Sequence, residues 1–124
     1  MGKKLLRVLV ADDHDDMRNC IVKILSEEFE VIGAVSNGYE LINAAIFTQP
    51  DAIVSDIRMP RLNGTDAMRG LQAGGINIPF IFLSSDKHFV EQFNENSTKC
   101  IHKTELFSQL RDSVRLAALE YQAL

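Results

Sequence analysis

Five short apolar runs, each followed by an amphipathic stretch, succeed one another along the chain, and few architectures accommodate that alternation. Residues 5–11 carry Val8, Leu9 and Val10 between further apolar side chains, the pattern of a strand buried on both faces. Met17, Cys20, Ile21, Ile24 and Leu25 then recur at helical spacing and form one stripe. Residues 31–35 read as a second strand, and Leu41, Ala44, Ala45 and Thr48 outline a second helix that Gln49-Pro50-Asp51 stops. A third strand is expected over 52–55. A third helix follows over Gly64–Ala73, with Ala67, Met68 and Leu71 inward and Gly74-Gly75 closing it. Residues 79–83 give a strongly apolar fourth strand, 87–94 a short fourth helix, and 99–102 a fifth strand. Thr104 is the expected N-cap of a last helix, with Glu105 favoured in its first turn by the helix dipole. Phe107, Leu110, Val114, Ala117, Ala118 and Tyr121 form its expected apolar stripe. Strands alternating with helices imply a doubly wound parallel α/β sheet with right-handed crossovers and helices on both faces.

Length and composition agree with one domain over residues 1–124. Hydrophobic residues at 46% and charged residues at 24% supply a core and exclude overall disorder. A net charge of −4 argues against a nucleic-acid surface on this segment. No apolar run approaches the roughly 20 residues that span a bilayer. Cys20 and Cys100 stand far apart without metal-ligand spacing, as expected of reduced thiols in the cytoplasm.

In a doubly wound sheet, sites form beyond the carboxyl ends of the strands, where the strand order reverses. After the first strand comes Asp12-Asp13-His14-Asp15-Asp16. Favourable placement at a helix N-terminus explains Asp15 and Asp16, but explains Asp12 and Asp13 less well because they end a buried strand. Asp56 ends the third strand. Two carboxylates at ~4 Å repel by about 4 kcal/mol at an effective dielectric of 20, so three together call for a cation or a proton. An all-oxygen set suits a hard cation, Mg²⁺ before Ca²⁺. A calcium-binding EF-hand loop is excluded, since His14 and Met17 stand where it needs a carboxylate and a glycine. The fourth strand ends in Ser84-Ser85 and the fifth in His102-Lys103, so a hydroxyl and an ammonium face the acids. Carboxylates, a metal, a lysine and a hydroxyl together fit phosphoryl transfer to a carboxylate.

With these residues in this order the sequence resembles the receiver domain of two-component response regulators over essentially its whole length. The matching residues are Asp12-Asp13, Asp56-Ile57-Arg58-Met59-Pro60 with Gly64, Ser84 and Lys103. Val10-Ala11-Asp12-Asp13-His14 and Arg18 look most like the subfamily with a helix-turn-helix DNA-binding output domain. No such domain is contained in these residues, so contact with nucleic acid is expected only through an additional C-terminal domain. The resemblance implies strand order 2-1-3-4-5 and makes Asp56 the phosphoacceptor. It also implies Mg²⁺ bound by Asp13, Asp56 and the Arg58 carbonyl, with Asp12 acting mainly through water, and phosphoryl oxygens held by Ser84 and Lys103. Further implications are a sensor histidine kinase or phosphotransfer protein as donor, and self-association through the face of helix four, strand five and helix five.

Two positions depart from the family pattern. Cys100 replaces the usual aromatic three residues before the lysine, and Thr104 replaces the usual proline after it. The segment from Ser84 to Lys103 is also shorter than usual. A small Cys100 is expected to move little surface, which leaves the switching response to Ser84 and residues 85–88. Three rival readings remain. A flavodoxin-type FMN binder would need a phosphate cradle where two aspartates stand. A haloacid-dehalogenase-type phosphatase would need an acid where Arg58 stands. The third rival is a receiver-like interaction module that accepts no phosphate.

Overall fold

A computed structural model describes residues 5–93 and 98–122. The elements run β1 (Arg7–Ala11), α1 (Asp15–Ser26), β2 (Glu30–Val35), α2 (Gly38–Thr48), β3 (Ala52–Asp56) and α3 (Gly64–Ala73). They continue with β4 (Phe80–Ser84), α4 (Lys87–Gln92), β5 (Thr98–His102), a 3₁₀ turn (Lys103–Glu105) and α5 (Leu106–Gln122). All five strands are parallel, in the order β2-β1-β3-β4-β5.

The sheet is covered on both faces. Val8, Val10, Val54, Ile81, Leu83 and Ile101 pack against Ile21, Leu25, Leu110 and Val114 of α1 and α5. Leu9, Ile53, Phe80 and Phe82 face the other way, towards Leu41, Ala45, Ala67, Met68 and Leu71 of α2 and α3. The period-two alternation of β1, β3 and β4 therefore splits into two apolar layers, and every residue of β3 and β4 is buried.

The helix boundaries follow from caps. Asn37 and Asn63 each accept a hydrogen bond from the third residue of the helix they precede, Glu40 and Asp66. Glu40 returns the contact one residue earlier, accepting from the backbone N–H and hydroxyl of Ser36. Gln49 takes a left-handed conformation (φ 49°) and ends α2 ahead of Pro50.

Three expectations need correction. Thr104 does not cap the last helix: the His102 ring accepts the Thr104 N–H, and a 3₁₀ turn comes before α5. Phe107 is 77% exposed, and Leu106 takes the inward place, because the stripe Leu106, Leu110, Val114 advances by four residues. Finally, α4 ends at Gln92, and Asn94, where the sequence pattern would extend it, lies outside the described residues.

Candidate functional site

The strand order reverses about β1 and β3, and the carboxyl ends of these two strands deliver three acids. Asp12 follows β1 and is fully buried, Asp13 is half-buried, and Asp56 ends β3 at 6% exposure. The turn after Asp56 is held by Gly64, whose N–H donates to the Ile57 carbonyl at 2.8 Å. A Cβ at Gly64 would lie 2.4 Å from the Asp56 carbonyl oxygen and 2.7 Å from Ser55 Oγ. Only glycine lets α3 start this close to the end of β3.

Lys103, just past β5, donates to Asp56 Oδ2 at 3.1 Å, and its Nζ lies 4.0 Å from Asp12 Oδ2. Ser84, at the end of β4, is buried; its Oγ accepts the Asp86 N–H at 3.0 Å, which leaves the hydroxyl proton to donate. Asp86 in turn caps α4 by accepting the Phe89 N–H at 3.2 Å. Asp56, Ser84 and Lys103 line one cleft of about 330 Å³, together with Arg58, Phe89 and His14.

The acids are underprovided with partners. Asp12 Oδ1 accepts the His14 backbone N–H at 2.8 Å, but Asp12 Oδ2 and Asp13 Oδ1 are buried without a hydrogen-bond partner among the described residues. Burial pushes the Asp12 carboxyl above its usual range. The His14 N–H opposes that shift, the Asp56 charge adds to it, Lys103 opposes it, and Asp13 adds to it again. Three carboxylates facing one ammonium leave an excess of two negative charges, the complement of a divalent cation. Ligand atoms of Asp12, Asp13, His14 and Asp56 all lie within 4.8 Å of one another, a spread that one coordination shell can span. The residues present therefore fit a divalent metal.

Cys100 lies away from this cleft. It pairs in register with Phe82 and packs half-buried against the layer under α2 and α3, where burial pushes its thiol up to about 11. Sequence reasoning did not place His14 or Phe89 in the site. The position of His14 directly after an acidic pair at a strand–helix corner was the available signal, whereas Phe89 reaches the cleft only through the path of the β4–α4 loop.

The family model for the response regulator receiver domain matches residues 8–115. This chain belongs to that family. A nitrate/nitrite response regulator protein homolog of Haemophilus influenzae is 41% identical over 81 residues, covering 64% of this chain and 39% of that protein. A Bacillus subtilis protein-glutamate methylesterase/protein-glutamine glutaminase is 38% identical over 99 residues, covering 78% of this chain and 27% of its own length. The chain thus spans less than half the length of either relative. Among solved structures, the response regulator domain of Thermotoga maritima CheB superposes with a TM-score of 0.80 at 25% identity, covering 94% of this chain and 98% of that one. A LuxR-family DNA-binding response regulator from Staphylococcus aureus gives 0.81 at 19% identity, covering 92% and 99%, and shares the fold. The chain is a receiver domain with the flavodoxin-like doubly wound sheet, and receiver domains serve phosphorylation-based signalling in two-component systems.

Proposed function

We propose that this receiver domain is a switch that takes a phosphoryl group onto Asp56 from a sensor histidine kinase or a phosphotransfer protein in the cytoplasm. Mg²⁺ would be held by Asp13, Asp56 and the Arg58 carbonyl, with Asp12 acting through water. The observation that carries the reading is the ion pair between Lys103 and Asp56 at 3.1 Å, in a cleft that Ser84 also lines and beside the carboxylates of buried Asp12 and half-buried Asp13.

In the transfer, an Asp56 carboxylate oxygen forms a bond to phosphorus as the phosphorus–nitrogen bond of the donor's phosphohistidine breaks. The electron pair leaves on the imidazole nitrogen, and the phosphoryl group ends as an acyl phosphate. The Lys103 ammonium moves its hydrogen bond from the carboxylate to a phosphoryl oxygen, and the Ser84 O–H donates to another. A bound Mg²⁺ would offset charge on the phosphoryl oxygens. The product stays attached to Asp56, so the chain acts as an acceptor without turnover.

Intact-mass measurement with a small phosphodonor, with and without Mg²⁺, tests this. One phosphoryl group is expected, dependent on the metal and absent in Asp56→Asn. Label persisting in that variant at Asp12 or Asp13 would overturn the assignment. No mass change under any condition would favour an interaction module that accepts no phosphate.

A further inference from the structure

We infer that His14 is a nitrogen ligand of the acidic metal site, one that strengthens binding of first-row transition ions such as Co²⁺, Ni²⁺ or Zn²⁺ and leaves Mg²⁺ nearly unaffected. The inference rests on the reading of Asp12, Asp13 and Asp56 as a metal site.

His14 occupies the N-cap position of α1 in an extended conformation (φ −92°, ψ 119°), yet its side chain makes no capping hydrogen bond. The usual employment of a side chain at that position is therefore not what holds the ring. Its backbone N–H is tied to Asp12 Oδ1, which fixes the main chain beside the acids. The ring Nδ1 lies 3.2 Å from Asp13 Oδ1 and 3.6 Å from Asp12 Oδ1, and His14 lines the cleft even though its side chain is 71% exposed. Neighbouring donors in an octahedral shell with bonds of about 2.1 Å are about 3 Å apart, and opposite donors about 4.2 Å. The separations around His14 fall close to that range. Independently of the ring, Asp12 Oδ2 is buried on a fully buried residue and has no hydrogen-bond partner among the described residues.

The donor set decides the preference. Oxygen ligands serve Mg²⁺, which gains little from imidazole, whereas Co²⁺, Ni²⁺ and Zn²⁺ bind imidazole nitrogen well and rank above harder ions for mixed nitrogen–oxygen sites. Three carboxylates already supply the charge, so a neutral imidazole adds donor strength without adding repulsion. The competing role for the ring is donation of a hydrogen bond to Asp13, which would oppose every metal alike.

Calorimetric titration of the full chain with MgCl₂ and CoCl₂ at about pH 8 separates these roles. The wild type should bind Co²⁺ more tightly than Mg²⁺. His14→Ala should weaken Co²⁺ by about tenfold or more and leave Mg²⁺ within about twofold. The Co²⁺-loaded wild type should also show hyperfine-shifted imidazole ring C–H resonances in its proton spectrum, lost in His14→Ala. Unchanged Co²⁺ affinity in His14→Ala, or tighter binding of both ions, would overturn the inference while leaving the metal site intact. Asp13→Asn that weakens neither ion would overturn the metal-site reading itself.

Discussion

Asp12→Asn should make the metal-free protein more stable at neutral pH. The variant keeps Oδ1 as acceptor for the His14 N–H and removes one buried charge. At an effective dielectric of about 20, attraction to Lys103 at 4.0 Å is worth about 4 kcal/mol, and repulsion from a carboxylate no farther than 4.8 Å at least about 3.5 kcal/mol. Asp12 meets two such carboxylates, so repulsion outweighs attraction even before the cost of burying the ion. The His14 N–H bond survives in the amide but loses its charge assistance, which offsets about 1 kcal/mol of the gain. Partial exposure of Asp13 and Lys103 screens the rest, leaving a net gain of about 1–2 kcal/mol for the amide.

The pH dependence has a definite sign. A folded-state pKa raised above the unfolded value means that the native state holds the proton more tightly. Protonated Asp12 favours the fold below the unfolded value, and that advantage is lost as pH rises through the higher folded value. The variant should therefore melt about 4–8 °C higher than the wild type near pH 7 without divalent ions, with the gap closing towards about pH 3. Adding Mg²⁺ should narrow the gap from the wild-type side, because ligand binding to the native state stabilises it. A variant that melts at or below the wild type near neutral pH would refute the reasoning.

Gly64→Ala should lower stability by about 1–3 kcal/mol in denaturant titration, since its Cβ meets the Asp56 carbonyl oxygen at 2.4 Å and one backbone must yield. Glu40→Ala should lower the melting temperature slightly at neutral pH, through loss of the Ser36 contacts that hold the Glu40 carboxyl below its usual range, an effect kept small by solvent screening at this exposed position. A lowered folded pKa gives stability that is present above the unfolded value and lost as pH falls, so wild type and Glu40→Ala should converge below about pH 4.5. Amide shifts recorded with a phosphate mimic such as beryllofluoride should be largest, outside the acids and Lys103, at residues 84–88; largest changes at Cys100 and the outer face of α5 would contradict this.

The strands were legible because burial on both faces leaves continuous apolar runs. The third helix matched its expected span since Asn63 caps its start and Gly74 follows its end. The start of α5 was misread for two local reasons. Leu106 and Phe107 are adjacent apolar residues, so periodicity alone admits either as the inward one. The N–H of Thr104 is captured by a histidine ring, which capping preferences do not anticipate. The order of strand ends in the sequence pointed to one cleft for Asp56, Ser84 and Lys103, and the geometry brings them there. What the sequence could not supply was the wall of that cleft. Phe89 reaches it from a helix only six residues long with no buried residue, and His14 reaches it from a cap position whose side chain leaves the cap unmade.

The proposed switch has a physical reason to act through the β4–α4 loop. Ser84 accepts the Asp86 N–H, and Asp86 caps α4, so turning the Ser84 hydroxyl towards a phosphoryl oxygen loads the contact that starts the helix. A short helix without buried residues has little to resist that load and belongs to the low-stability end of the molecule. The same loop is tied on its other side: His102 Nδ1 accepts from the Thr104 N–H, so its Nε2 carries the proton and donates to the Ser85 carbonyl at 3.1 Å. Lys103 directly follows His102 in sequence. Its transfer from Asp56 to a phosphoryl oxygen and the turning of Ser84 therefore act on one segment from opposite ends. Under the proposed function, phosphorylation would shift a population only by favouring one arrangement over another, and the contacts of Lys103 and Ser84 are where that preference would be made. Cys100, small and packed with Phe82 in the layer under α2 and α3, does not line the cleft.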